Sequence, residues 1–288
     1  MAESRQEDYF INGLAKGLAI IQAFNNEARA LTLAEAAYRT GLSRAAARRV
    51  LLTLVELGFA ARCGDRHFAL TPRVLSLGYG YLSSMPLWRF AEPVLEALVE
   101  ELRQTCSIAA LDGTELVYVA RIPLHRTLNQ GLSIGSRIPL YCHSAGRVLL
   151  SGFTPEQLES YLQTAELRPL TARTVTERTA LRDIIQEVRR RGYAWSCGEV
   201  EDHTTGLSVP IFQHGRLIAA LNVSRMHSAD DESLWCGSYL QSLRRAAGRL
   251  TAALSVDHNP RIVRMERSPD CPATLPATGG EPCLPAKP

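Results

Sequence analysis

The sequence lacks any apolar run of about 18 residues, so no membrane-crossing helix is expected. Its opening, MAESRQEDYF, has no basic stretch followed by an apolar core. A secretory leader is therefore not expected, and a cytoplasmic location is. The seven cysteines include no C-x-x-C pair and make an odd number. That pattern excludes a complete disulfide framework and suits reduced thiols. Cys142, His143, Cys197 and His203 show no ligand spacing within any one segment, so no metal or other cofactor is expected. Cys142 reads instead as a small buried hydrophobe. Strong charge of one sign is missing too: the net is +3 at pH 7, which by itself argues for no partner.

What is present is a 46% hydrophobic, 21% charged chain of 288 residues, enough for real cores and, by length, about two domains. The basic excess is local. Residues 31–73 hold seven arginines (39, 44, 48, 49, 62, 66 and 73) against Glu35, Glu56 and Asp65, a net of +4 that leaves −1 elsewhere. At its centre lies TGLSRAAARRVLLTLVELG, residues 40–58. Ser43 reads as an N-cap, and Ala47, Val50, Leu51, Leu54 and Leu57 recur at helical spacing toward a core. Arg44 and Arg48 lie one turn apart on the other side, with Arg49 beside them. Cations at a helix N-terminus oppose its dipole, so an external polyanion is one candidate for what compensates them.

The neighbours of this helix make a plan. A helix over 9–25 with Leu14, Leu18, Ile21 and Phe24 on one face precedes a second over 31–40, capped by Thr32 and broken by Gly41. After the arginine helix, residues 59–71 alternate around Gly64-Asp65 as a hairpin. Three helices and a hairpin predict a winged helix-turn-helix over 9–71. The rival reading is two short helices joined by glycine in an ordinary helical domain. Ala37, Gly41, Ala47 and Val50 fall where the DNA-binding motif needs a small residue, a turn residue and two buried ones. The exposed start of the second helix then enters the major groove, bringing Ser43, Arg44, Arg48 and Arg49 to DNA. Arg62, Arg66 and His67 on the wing would touch the phosphate backbone.

Thr71-Pro72 opens a linking helix over 72–85, and residues 86–256 mix helices with local strand pairs, predicting an α+β domain. Its elements include a hairpin over 107–122, a strand in RTLNQGLSIG (126–135), a helix at HSAGRVLLSG, a hairpin over 206–225 and a long helix from 230 to about 256. Residues 257–288 hold seven prolines and read as a disordered tail. GLSIG (131–135) matches the G-x-S-x-G of hydrolase nucleophiles, yet that chemistry needs a strand–turn–helix, and Ser133 lies in a strand pattern followed by SRIPLY. No enzymatic activity is expected. In YCHSAGRVLL a strand end runs into a helix whose first turn is His143, Ser144, Ala145 and Gly146. Small residues there would bare backbone amides as an anion site.

Over residues 9 to about 256 the chain resembles the isocitrate-lyase-regulator (IclR) family of bacterial transcription factors. DYFINGLAKGLAII, RTGLSRAAARRVLLTLVELGF, FALTPRVLSLGY, RIPLYCHSAGRVLLS and LIAALNVS carry the likeness, and they point to the branch controlling aromatic-acid catabolism. The resemblance implies paired winged helices on a pseudo-palindromic DNA site, a homodimer or homotetramer, and a GAF-like domain holding a small aromatic or dicarboxylic acid. It places effector contacts at Ser144, Ala145, Gly206, Asn222 and Ser224, with Leu128 and Gln130 from a facing strand and Cys197 from the segment 197–206. CGEVEDHTTG (197–206) departs from the family's Gly-Leu-Arg-Ser run and lacks its arginine. A constitutive oligomeric DNA binder, or a small-molecule hydrolase with a DNA-binding appendage, are the competing readings.

Overall fold

A computed structural model describes residues 10–25, 28–84, 86–124, 132–226 and 232–256. The chain divides between Tyr81 and Leu82 into two compact units.

The first unit begins with α1 (Asn12–Gln22), followed by strand β1 (Ala30–Thr32), α2 (Leu33–Thr40) and α3 (Arg44–Glu56). Thr32 and Glu35 form a reciprocal capping box at the start of α2, and Gly41, at φ 63°, ends it in the left-handed region. Ser43 Oγ accepts from the Ala46 amide (3.2 Å), starting α3 at the expected residue. Strands β2 (Ala60–Cys63) and β3 (His67–Leu70) form the wing hairpin, and β1 joins it to make a three-stranded sheet. The core gathers Ile20, Leu31, Ala36, Ala47, Leu51 and Leu54.

Two expectations about this core need correcting. Ile20 is the fully buried residue of α1, whereas Leu14 and Leu18 are 61% and 41% exposed. Leu57, the C-cap of α3, is also exposed. Apolar side chains cover more of α1 than the stripe that meets α3. The surplus lines an open groove together with Val50, Leu77 and the stem of Arg49.

A 3₁₀ turn (Pro72–Val74) and α4 (Leu75–Ser84) follow the wing, the turn capped by Thr71. The second unit holds α5 (Pro86–Leu102), β4 (Thr105–Asp112), β5 (Glu115–Ile122), β6 (Arg137–Pro139), α6 (Ser144–Ser151), α7 (Pro155–Thr164), α8 (Arg178–Arg191), β7 (Ala194–Cys197), β8 (Thr204–Gln213), β9 (Arg216–Met226), α9 (Glu232–Trp235) and α10 (Gln241–Val256), with one π turn between the last two. Its strands form one antiparallel sheet in the order β6-β5-β4-β9-β8-β7. Helices α5 and α10 cover one face around Leu95, Leu98, Ile108, Leu207 and Leu250; α6, α7 and α8 cover the other around Tyr118, Leu140, Leu149, Leu158 and Ile185. Both faces being covered makes the strands apolar in both directions.

The strand expected at 126–135 is not seen in its described part. Ser133 to Ser136 is a tight turn, closed by the Ser136 amide on the Ser133 carbonyl (3.0 Å), with Gly135 at φ 88°. Glycine at the third turn position satisfies a left-handed requirement that breaks the alternating pattern. Residues 125–131 and the tail 257–288 lie outside the described residues.

Candidate functional site

Cross-strand register builds a polar patch inside the face that α6–α8 cover. Residues opposite one another in antiparallel strands point the same way. Arg121, Ser107, Asn222 and Ser208 stand in one such row, across β5, β4, β9 and β8. The next row is Thr105, Ser224, Gly206 and Ser196. Tyr118 joins the patch because of a bulge between Ile108 and Ala109, which places three residues of β5 against two of β4. Tyr118 and Arg121 therefore share a face, and the guanidinium lies 5.3 Å from the ring centroid.

The first turn of α6 closes over these rows. Ser144 Oγ meets Ser208 Oγ (2.8 Å), and Asn222 Nδ2 donates to Ser144 Oγ (3.2 Å) and Ser208 Oγ (2.9 Å). Ser107 Oγ donates to Asn222 Oδ1 (3.3 Å). Gly206 belongs here for lack of a side chain: a Cβ would stand 3.0 Å from Ser144 Oγ and 3.2 Å from Asn222 Nδ2. Ser107, Ser144, Ser208 and Asn222 are fully buried. Burying four such groups is tolerable only because they satisfy one another.

Arg121 is the exception. Its Nε and Nη1 are buried and find no acceptor among the described residues. A guanidinium left with unmatched donors in a low-dielectric site is costly, and it invites an anion.

His143 is the N-cap of α6, and its Nδ1 accepts from the Ala145 amide (3.0 Å). The ring proton of the neutral form therefore sits on Nε2, which donates to the Tyr118 hydroxyl (3.0 Å). Burial first, then the charges of Arg121 and Arg147, push the imidazole from the ordinary 6.5 down to about 4. The unfolded chain thus takes up the proton first as pH falls. Stability that is complete above pH 6.5 drains away toward pH 4. The contribution is at most about 3 kcal/mol. Substituting His143→Asn, which keeps a capping acceptor, should flatten the urea-denaturation profile between pH 4 and 6.5 relative to the native chain; parallel profiles would refute the assignment.

The expected anion site on the α6 amides needs correcting. The Ser144 amide donates to Ser196 Oγ (3.1 Å) and the Ala145 amide to His143, so neither is bare. Ala145 itself points into the apolar core. Cys197 is also displaced from expectation. Neighbouring strand residues face opposite ways, and Ser196 takes the inward position while Cys197 turns to the other face, where Thr205 Oγ1 donates to its Sγ (3.2 Å). Ser144, Gly206, Asn222 and, at the margin, Ser224 are brought together with His143 beside them. Leu128 and Gln130 fall outside the described residues. The sequence reading missed Arg121, Tyr118, Ser107, Ser208 and Ser196.

On the first unit, Arg44 and Arg48 are exposed and one turn apart on α3, with Ser43 at its cap. Arg49 is exposed beside them and also lines the rim of the apolar groove. Arg62 lies over the Phe68 ring (5.9 Å) and Arg66 stands exposed at the wing turn.

Residues 13–63 match the IclR helix-turn-helix domain, and residues 79–252 match the C-terminal domain of the bacterial transcriptional regulator IclR. The chain belongs to the IclR family. It is 42% identical over 217 residues to the Pca regulon regulatory protein of Pseudomonas putida, covering 75% of this chain and 74% of that one. The p-hydroxybenzoate hydroxylase transcriptional activator of Acinetobacter baylyi is 37% identical over 257 residues, covering 86% and 93%. Among solved structures, an IclR homolog from Microbacterium hydrocarbonoxydans complexed with 4-hydroxybenzoate superposes with a TM-score of 0.74 at 27% identity, over 84% of this chain and 99% of that one. IclR-family relatives are transcriptional regulators rather than enzymes, as the rejection of the G-x-S-x-G run anticipated. The α+β effector domain behind a winged helix-turn-helix is the family's architecture.

Proposed function

We propose that this IclR-family regulator controls an aromatic-acid catabolic operon from the cytoplasm, and that its effector is a small aromatic carboxylate held by Arg121. The unmatched donors of Arg121 beside a satisfied polar patch carry this reading. A planar carboxylate fits a guanidinium fork, and its ring would lie toward Tyr118 and the small residues Ala109 and Ala220. The effector-site residues are then Arg121, Ser107, Tyr118, His143, Ser144, Gly206, Ser208, Asn222 and Ser224. Two of the most similar relatives carry names from aromatic catabolism, and one structural neighbour holds 4-hydroxybenzoate, which supports the same class. Calorimetric titration with 4-hydroxybenzoate, protocatechuate and a dicarboxylic acid tests it: saturable binding of an aromatic acid is expected, and none at millimolar concentration would sink it.

The domain plan follows as residues 9–71 for DNA, 72–85 as linking helix and 86–256 for the effector. A homodimer or homotetramer would present paired α3 helices to half-sites about one helical turn, or a multiple of it, apart. Arg44→Ala or Arg48→Ala should each lower affinity about tenfold to a hundredfold for a duplex selected in vitro on the native chain, since a bidentate base contact contributes roughly 1–3 kcal/mol. Arg49→Ala should cost less, because Arg49 shares its surface with the apolar groove. Gel shifts over a salt series read both effects; equal losses at all three positions would contradict the geometry.

A further inference from the structure

We propose that Arg147 and Glu199 are positioning residues of the effector site, latching its outer wall to α6; the inference rests on the aromatic-acid reading above. The wall is the segment 195–199, which begins in β7. That strand is four residues long and, among the described residues, lies at the sheet edge with β8 as its single neighbour. One ladder of bonds is slender support for an edge, and the segment is held from two further sides.

From within, α6 grips it at three points. Ser144 donates its amide to Ser196 Oγ (3.1 Å). One turn on, Arg147 sends Nη1 to the Trp195 carbonyl (3.4 Å) and Nη2 to Glu199 Oε2 (2.6 Å), while its Nε anchors on the Tyr141 carbonyl (3.0 Å). Arg147 and Glu199 are 3% and 7% exposed. From outside, the stretch 171–175 covers the same segment: Thr171 Oγ1 donates to the Gly198 carbonyl (2.5 Å), Thr174 Oγ1 to the Glu199 carbonyl (2.7 Å), and the Val175 amide to Glu199 Oε2 (3.2 Å). Glu199 is where the two grips meet.

This matters to a ligand because Ser144 belongs to both structures. Its amide fixes the wall and its hydroxyl completes the patch with Ser208 and Asn222. With the latch intact the wall is already in place, so binding costs little ordering. With the latch broken, the wall and the first turn of α6 must be ordered by the ligand itself.

Glu199→Gln keeps the shape and removes the charge; should it fold poorly, Thr174→Val removes the outer bond to the Glu199 carbonyl, with those the Leu170 and Thr171 amides donate to the same hydroxyl, and buries no unpaired ion. The full chain is used throughout. Hydrogen exchange of the ligand-free variants should run at least tenfold faster at 195–204 while α5 and α10 stay unchanged. Affinity for 4-hydroxybenzoate should fall at least tenfold, with DNA affinity in its absence unaltered, and Arg147→Lys should fall between. Unchanged exchange overturns the proposal, as does a uniform rise across the domain or faster local exchange with native acid affinity. If the native chain binds no aromatic acid, the effector reading fails by itself, and local exchange alone decides the latch: faster supports it, unchanged overturns it.

Discussion

Arg121→Met should abolish the response to aromatic acids while leaving the ligand-free protein as stable as before, or more so. The two halves come from one observation. Nε and Nη1 of Arg121 are buried without acceptors among the described residues, so before a ligand binds the charge is a cost. Replacing buried ionic groups by apolar ones of similar volume is commonly neutral or stabilising by about 1–4 kcal/mol. Methionine would also keep contact with the Tyr118 ring, over which the guanidinium now lies. In the bound state the balance reverses. A carboxylate losing a buried charged partner forfeits about 3–5 kcal/mol, a hundredfold or more in affinity. Thermal melts with and without 4-hydroxybenzoate read both outcomes together: the ligand-induced rise in Tm should vanish, and the ligand-free Tm should not fall. Arg121→Lys should lie between, since an ammonium keeps the charge but loses the fork. A Met variant that binds the acid normally, or that melts far below the native chain, would show that these donors are already satisfied.

That Arg121 escaped the sequence reading has a physical cause. In ELVYVARI an arginine three residues from a tyrosine reads as pointing to the opposite face of a strand, and so toward solvent. The bulge at Ile108/Ala109 changes the count, and nothing in the local sequence announces a bulge formed by pairing with another strand. Ser107 and Ser208 were hidden for the same reason: a single serine in a strand gains meaning only when register sets it beside Asn222. Local signals fared better. The Thr32 and Ser43 caps, the stop at Gly41 and the Thr71-Pro72 start are each written within a few residues, and each forms where expected. Exposure of Leu14, Leu18 and Leu57 was not legible, because periodicity shows that a stripe is apolar and not what covers it.

Gly146→Ala should be severely destabilising for the addition of a single methyl group. The sequence invites a milder reading, that a small residue in the first turn of α6 bares amides for an anion. In the fold the glycine serves a close approach of helix to backbone. A Cβ there would stand 2.2 Å from the Leu140 carbonyl oxygen, 2.6 Å from its Cα and 2.7 Å from its carbonyl carbon. All three are main-chain atoms, so no rotamer change relieves the overlap. Helix α6 would have to lift, and two residues close to the glycine resist. Ser144 is bonded to Ser196, Ser208 and Asn222, and Arg147 to Tyr141, Trp195 and Glu199. Overpacking of this kind, coupled to loss of a buried polar network, should cost at least about 4 kcal/mol, a large share of a domain's whole stability. Two other glycines calibrate the claim. At Gly248 in α10 nothing lies within 4 Å, and alanine there should stabilise by up to about 1 kcal/mol through helix propensity. At Gly206 the new methyl would meet side-chain atoms, Ser144 Oγ and Asn222 Nδ2, which can yield. Gly206→Ala should therefore keep the fold and weaken the effector site. Urea denaturation of the three variants should rank them Gly248→Ala, Gly206→Ala, Gly146→Ala from most to least stable. A Gly146→Ala protein that is soluble and within about 1 kcal/mol of native would mean that α6 moves freely over Leu140, and a rigid helix start could then not be what shapes the site.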